Sequence, residues 1–241
     1  MKLLKKTIKN FMHFIGIEAF RYDTSATQFG RFSNVLETFG IDLILGVGAN
    51  EGQFGESLRA SGYKGDIVSF EPLKLAHHNL LKISKRDPHW HVHPISAVGD
   101  RIGEVEVNVS ENSVSSSILP MLSSHKQAAP KASYIGKETC DLITLDSVRS
   151  IYQVDAKSVL LKIDTQGYEW QVLDGANETI SMARGVLIEM SLIPLYEGQK
   201  LWQDITHRLE SEGFTLWALQ PAFINPANGR TLQLDGLFFR L

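Results

Sequence analysis

Residues 41–52, Ile-Asp-Leu-Ile-Leu-Gly-Val-Gly-Ala-Asn-Glu-Gly, run an apolar strand into a turn of small residues and on into a helix, the sequence form of a nucleotide-binding βα turn. The unbroken apolar run Leu43 to Leu45 has the character of a central parallel strand buried on both faces. Gly46, Gly48, Ala49, Asn50 and Gly52 form the turn; its small residues leave a ligand room against the backbone, and the next helix turns free amide groups toward it. Alternation continues with helix 52–61, strand 66–70, helix 73–86 and strand 91–97, and resumes with strand 158–163, helix 168–181, strand 185–190 and helix 199–212. Strands 214–219 and 232–240, joined through Pro221, Pro226 and Asn228-Gly229, read as an antiparallel pair. The pattern predicts an α/β fold: a mostly parallel sheet with helices on both faces.

The dinucleotide fingerprint Gly-x-Gly-x-x-Gly fails at its third glycine, where counting from Gly46 places Glu51. A carboxylate there opposes a pyrophosphate, whereas a cationic sulfonium ligand with a zwitterionic tail meets no such conflict. Glu71, which ends the second strand in Asp66-Ile-Val-Ser-Phe-Glu-Pro, is placed to accept hydrogen bonds from ribose hydroxyls.

Residues 1–40 read as an N-terminal helical extension and 41–241 as one catalytic domain, interrupted over 99–157. There Glu104 to Val109 and Thr139 to Leu145 alternate as strands around a polar stretch, which suggests a hairpin-like insertion whose long loop lids the pocket. A net charge of -3, without a basic stretch interleaved with aromatics, argues against nucleic acid as partner. The single cysteine, Cys140, has no partner for a disulfide or a metal site and fits a reducing compartment. No apolar run reaches the roughly 20 residues of a membrane span. In residues 1–15, Leu4, Ile8, Phe11 and Ile15 share one helical face, with lysines mostly on the other; this leaves open a weak membrane-surface contact, or packing on the domain itself or on a second subunit in a homo-oligomer.

Gly-Val-Gly-Ala-Asn-Glu-Gly-Gln-Phe-Gly, Ser-Phe-Glu-Pro, Ser115-Ser116-Ser117 and Leu-Lys-Ile-Asp164-Thr-Gln-Gly167-Tyr-Glu169 with Leu-Asp-Gly-Ala following, in this order, resemble the FkbM-type S-adenosylmethionine-dependent methyltransferases over roughly residues 40–240. The resemblance implies the seven-stranded class I methyltransferase sheet with a reversed last strand, S-adenosyl-L-methionine as cofactor, and methylation of a hydroxyl on a sugar, a glycan or another small molecule. A cofactor of this kind makes a cytoplasmic setting the expectation. One position departs from the pattern: Gly46 stands where the family has an aspartate that, in this fold, commonly helps hold the methionine part of the cofactor.

In an open parallel sheet the site forms beyond the carboxyl ends of the strands. That singles out the glycine turn, Glu71, Ala97 to Asp100, Asp164 and Glu189. Asp100 would meet the adenine amino group, unless it is only a turn former. Methyl transfer to a hydroxyl needs a base, and Asp164 is the first candidate, with helix capping as its alternative role; Glu169 either reaches the same cleft or favours a helix start. Glu189, a carboxylate inside the apolar Gly-Val-Leu-Ile-Glu-Met, needs either an ion-pair partner or a site. His125, in the lid, is an alternative base. Ser116 and its neighbours match the family's serine motif and would face cofactor or acceptor. No metal is expected, since Asp164 and Glu189 lack a third ligand and His89, His91 and His93 have no acidic partner nearby. Two rivals stand beside the methyltransferase reading: an NAD(P)-dependent oxidoreductase, and a non-catalytic binding protein with a degenerate methyltransferase fold.

Overall fold

The computed structural model describes residues 10–14, 16, 28–152, 156 and 158–241, without the side chains of residues 28 and 29. The amphipathic face expected over residues 1–15 lies largely outside them. Helix α1 (Gln28–Thr38) leads into β1 (Leu43–Val47), α2 (Gln53–Ala60), β2 (Asp66–Phe70), α3 (Lys74–Ser84) and the short strands β3 (Trp90–Val92) and β4 (Ser96–Val98). After β5 (Gly103–Ser110), α4 (Ser123–Ala128), β6 (Tyr134–Ile143) and α5 (Leu145–Tyr152) come β7 (Val159–Ile163), α6 (Glu169–Asp174), α7 (Asn177–Met182), β8 (Ala183–Ser191), α8 (Trp202–Ser211), β9 (Thr215–Ile224) and β10 (Thr231–Phe239).

Seven strands form the main sheet in the order β3-β2-β1-β7-β8-β10-β9, with β10 antiparallel to both its neighbours. This is the class I methyltransferase sheet. Strand order reverses between β1 and β7, so the crevice opens beyond Val47 and Ile163. A smaller sheet, β4-β6-β5, stands beside it and carries the serine-rich loop 110–117.

Alternation along the central strands splits the core into two layers. Leu43, Leu45, Val47, Leu161, Ile163, Val186 and Ile188 pack against α5 to α8. Ile44, Ile67, Leu160 and Phe239 pack on the other face against Phe32 and Leu36 of α1, Leu58 of α2 and Leu80 of α3. Each such side chain contributes about 1.5–3 kcal/mol by leaving water, so a polar residue in these strands is costly. One row on the α1 to α3 face is nevertheless polar or bare: Ser69, Gly46 and Lys162 lie side by side across β2, β1 and β7.

Two expected elements are divided. The strand predicted over 91–97 is two strands in different sheets: after the bond from His93 N to the Ser69 carbonyl (2.9 Å), Pro94 has no N–H to continue the ladder, and the chain crosses to β4. The helix predicted over 168–181 breaks at Gly175, where a Cβ would lie 1.8 Å from the Gly99 carbonyl oxygen. Among the described residues no helix is long and apolar enough to cross a membrane.

Candidate active site

A cavity of about 680 Å³ opens at the carboxyl ends of the strands, bounded by the turn after β1, the loop 112–118 and the ends of β7, β8 and β10. The turn is tight for a physical reason. Gly48 has φ +75°, and a Cβ there would lie 1.8 Å from the carbonyl oxygen of Asp164, so the β1 turn and the β7 end touch backbone to backbone. The amides of Gly48 and Ala49 donate to the Phe70 carbonyl (3.1 and 3.0 Å), which lays the turn over the end of β2. Glu71 then rivets it: Oε2 accepts from Asn50 N (2.7 Å) and Oε1 from Leu73 N (2.9 Å). Each carboxylate oxygen keeps a further lone pair for a ligand hydroxyl. Burial, only partly offset by these bonds, pushes Glu71 up to about 7.

The far half of the cavity is built around Gln166. Its Nε2 donates to Asp164 Oδ1 (2.9 Å) and Glu189 Oε2 (2.7 Å), while its Oε1 accepts from the Tyr196 hydroxyl (2.9 Å). Ser117 Oγ holds the Gln166 carbonyl (2.7 Å), and Gln233 Nε2 gives Glu189 Oε2 a second donor (2.6 Å). Glu189 Oε1 receives no hydrogen bond from the described residues. Asp235 is the register partner of Glu189 on β10 and also lines the cavity. Burial, reinforced by Asp164, Glu169 and Asp235, drives the Glu189 carboxyl well above its ordinary range; burial and Asp164 lift Asp235 to about 6. Lys162 bonds Asp164 Oδ2 at 3.1 Å.

His125 is buried among Tyr196 and Phe223, edge-on to the first (5.1 Å between ring centres), and its Nδ1 has no partner among the described residues. Burial lowers its pKa to about 4, so it is a neutral imidazole at physiological pH.

Of the expected residues, Gly48, Ala49, Asn50, Glu71, Ser116, His125, Asp164 and Glu189 line this one cavity. Gly46 and Gly52 stand behind it: Gly46 lies within β1, and at Gly52 (φ +100°) a Cβ would press on Leu80 and Trp90 at 3.0 and 3.3 Å. Asp100 is not in the cavity wall; it faces solvent and pairs with Arg101 (2.9 Å), while Ala97 and Val98 take the place expected of it. Glu51, expected beside the ligand, turns away to accept from Asn79 Nδ2 (2.9 Å). Glu169 is absent from the wall as well, its Oε1 taken by the amides of Thr165 and Gly167 (both 3.0 Å). Ser116 lines the wall, but its hydroxyl accepts from Ser110 N (2.9 Å) and so closes the loop. Sequence reasoning missed Lys162, Gln166, Asp235, Gln233 and Tyr196. A signal existed for the first, a lysine inside the apolar run Val159 to Ile163.

The wall suits an adenosyl ligand bearing an amino acid. It offers a turn with no room for a side chain at Gly48, Asn50 Oδ1 buried without a partner among the described residues, and a carboxylate at the end of β2. Among the described residues no group of three acidic, histidine or cysteine side chains is arranged to hold a metal ion.

The sheet order is that of the class I methyltransferases, and a family model makes the chain an S-adenosylmethionine-dependent methyltransferase. The chain belongs to the FkbM methyltransferase family, whose domain model matches residues 46–216. That membership sets aside the oxidoreductase reading. A search of curated proteins gives no match. Many solved structures match the chain at low identity. TehB from Haemophilus influenzae is 9% identical with a TM-score of 0.48, over 91% of this chain and 64% of its own. Magnesium protoporphyrin IX methyltransferase from Synechocystis, solved with bound S-adenosylmethionine, is 9% identical with a TM-score of 0.46, over 98% and 97%. Fibrillarin from Aeropyrum pernix, also with S-adenosylmethionine, is 9% identical with a TM-score of 0.45, over 82% and 66%.

Proposed function

We propose that the protein methylates a hydroxyl of a neutral, polyhydroxylated acceptor such as a sugar unit, with Glu189 as the general base. The observation that carries this reading is the wall of carboxylates and side-chain amides, Asp164, Gln166, Glu189, Gln233 and Asp235, gathered at one end of a single cavity. Such groups accept and donate to several hydroxyls at once, and an anionic acceptor would meet their like charge.

When bound, the cofactor supplies a methyl group on a cationic sulfur that leaves as a neutral thioether. The glycine turn and Glu71 would hold its nucleoside end, and loop 112–118, which lines the cavity, would shield it from water. Gln166 fixes Asp164 and Glu189 in one arrangement, since the Tyr196 hydroxyl sets which way its amide faces. Glu189 would then take the acceptor's hydroxyl proton on Oε1, the oxygen with no donor among the described residues. Its raised pKa makes it a stronger base than an ordinary carboxylate. Asp164, already committed to Lys162 and Gln166, stabilises charge and orients. The neutral His125 is a weaker base than Glu189 and serves as a hydrogen-bond partner for the acceptor. Dependence on this cofactor favours a cytoplasmic setting.

The test is methyl transfer from isotopically labelled S-adenosylmethionine to a panel of neutral sugars, phenols and sugar acids, with products read by mass spectrometry. Label on a neutral sugar hydroxyl supports the proposal. Label confined to the sugar acids overturns it.

A further inference from the structure

Lys162 and Gly46 are register partners on β7 and β1 and face the same side of the sheet. The lysine is 8% exposed. Its ammonium reaches the Gly48 carbonyl (3.3 Å) and Asp164 Oδ2 (3.1 Å) and lies 5.5 Å from the centre of the Phe54 ring. An ammonium has three N–H donors; two are spent on the rim of the glycine turn, which leaves one for a ligand. Among the described residues that line the cavity, Lys162 is the only lysine or arginine, set against the carboxylates of Glu71, Asp164, Glu189 and Asp235. A ligand ammonium entering this cavity finds several carboxylates, whereas a ligand carboxylate finds one cation. The position of Lys162 beside Gly48 puts the remaining donor where the turn meets the ligand.

We propose that Lys162 binds the carboxylate of the cofactor's amino-acid tail, so that this chain grips the tail by its acid from β7 and not by its amine from residue 46. The inference rests on the methyltransferase reading of the cavity. It also gives Gly46 a reason. A Cβ at residue 46 would meet nothing closer than the Val68 carbonyl at 3.7 Å, so an aspartate fits there, but its carboxylate would stand beside Lys162 and claim the ammonium.

The experiment compares calorimetric affinities for S-adenosylhomocysteine and for its decarboxylated analogue, which keeps the amine. The wild type is expected to prefer the intact ligand by about tenfold or more. Lys162→Met should erase that preference while binding of the analogue persists, which also shows that the pocket is intact, and Lys162→Arg should restore part of it. Gly46→Asp should narrow the preference too, and it decides the matter alone where Lys162→Met does not fold. An unchanged preference in Lys162→Met or, failing that variant, in Gly46→Asp overturns the proposal, as does equal loss of both ligands, which marks a structural lysine. A wild type that binds neither ligand overturns the cofactor reading itself, a result distinct from the others.

Discussion

Gln166 has φ +54°, a left-handed backbone that costs a residue other than glycine roughly 1–2 kcal/mol. The same conformation brings its amide between Asp164 and Glu189, where one nitrogen serves both carboxylates. Strain at a site is sustained when the surroundings over-determine it, and here Tyr196 and Ser117 hold both ends of the residue. Two substitutions separate orientation from proton transfer. Glu189→Gln keeps the shape but cannot take a proton, and turnover should fall about 10²–10⁴-fold with S-adenosylhomocysteine affinity unchanged; a variant with wild-type turnover would remove Glu189 as base. Tyr196→Phe frees the Gln166 amide to flip, and a smaller loss of kcat with the same cofactor affinity is expected in steady-state kinetics. With Glu189 as base, kcat/KM in the wild type should rise with pH through a transition above the ordinary carboxylate range, because burial and neighbouring acids keep the carboxyl protonated longer.

At the scale of elements, the close contact of the β1 turn with the end of β7 is the joint on which the cavity depends. Gly48→Ala places a methyl 1.8 Å from a backbone oxygen at positive φ, so the turn must move. Loss of S-adenosylhomocysteine binding and a lower melting temperature are the expected results in calorimetry, and unaltered affinity would contradict the geometry described for the turn. Legibility in the sequence followed the same division. Strands β1, β2 and β7 were readable because burial on both faces makes them mostly apolar runs. The split at Pro94 and the break at Gly175 were not, since each depends on which distant strand or carbonyl the chain meets. Glu71 was legible as a carboxylate at a strand end, and Glu189 as one inside an apolar strand. Asp235 was not, because it becomes a site residue only when the reversed strand β10 sets it opposite Glu189. Asp100 misled because a strand-end aspartate looks the same whether it faces a ligand or, as here, an arginine on the surface.

The whole molecule carries an unusual load of buried acid near one cavity, and that load sets its stability against pH. Glu71 and Glu169 are both raised to about 7 in the folded chain, chiefly by burial, from ordinary values near 4.5. A carboxyl whose folded pKa is raised binds its proton more tightly folded than unfolded, so its contribution is complete below the unfolded value and is lost as pH climbs through the folded one. The melting temperature should therefore decline between about pH 4.5 and 7, and Glu169→Gln, which stays neutral throughout, should flatten that decline. A wild-type profile that rises over this window would contradict the burial of these groups. Ligand binding acts on the same balance, since a cofactor present at 100 times its dissociation constant adds about 2.7 kcal/mol to the folded state.

Calorimetric titration of the purified protein with S-adenosylhomocysteine, with NADPH as the control ligand, tests the cofactor site without knowledge of the acceptor. Saturable binding of one S-adenosylhomocysteine per chain and none of NADPH is the predicted result. Binding of NADPH alone, or of neither ligand by a well-folded sample, would contradict the assignment of the glycine turn and Glu71 as a cofactor site.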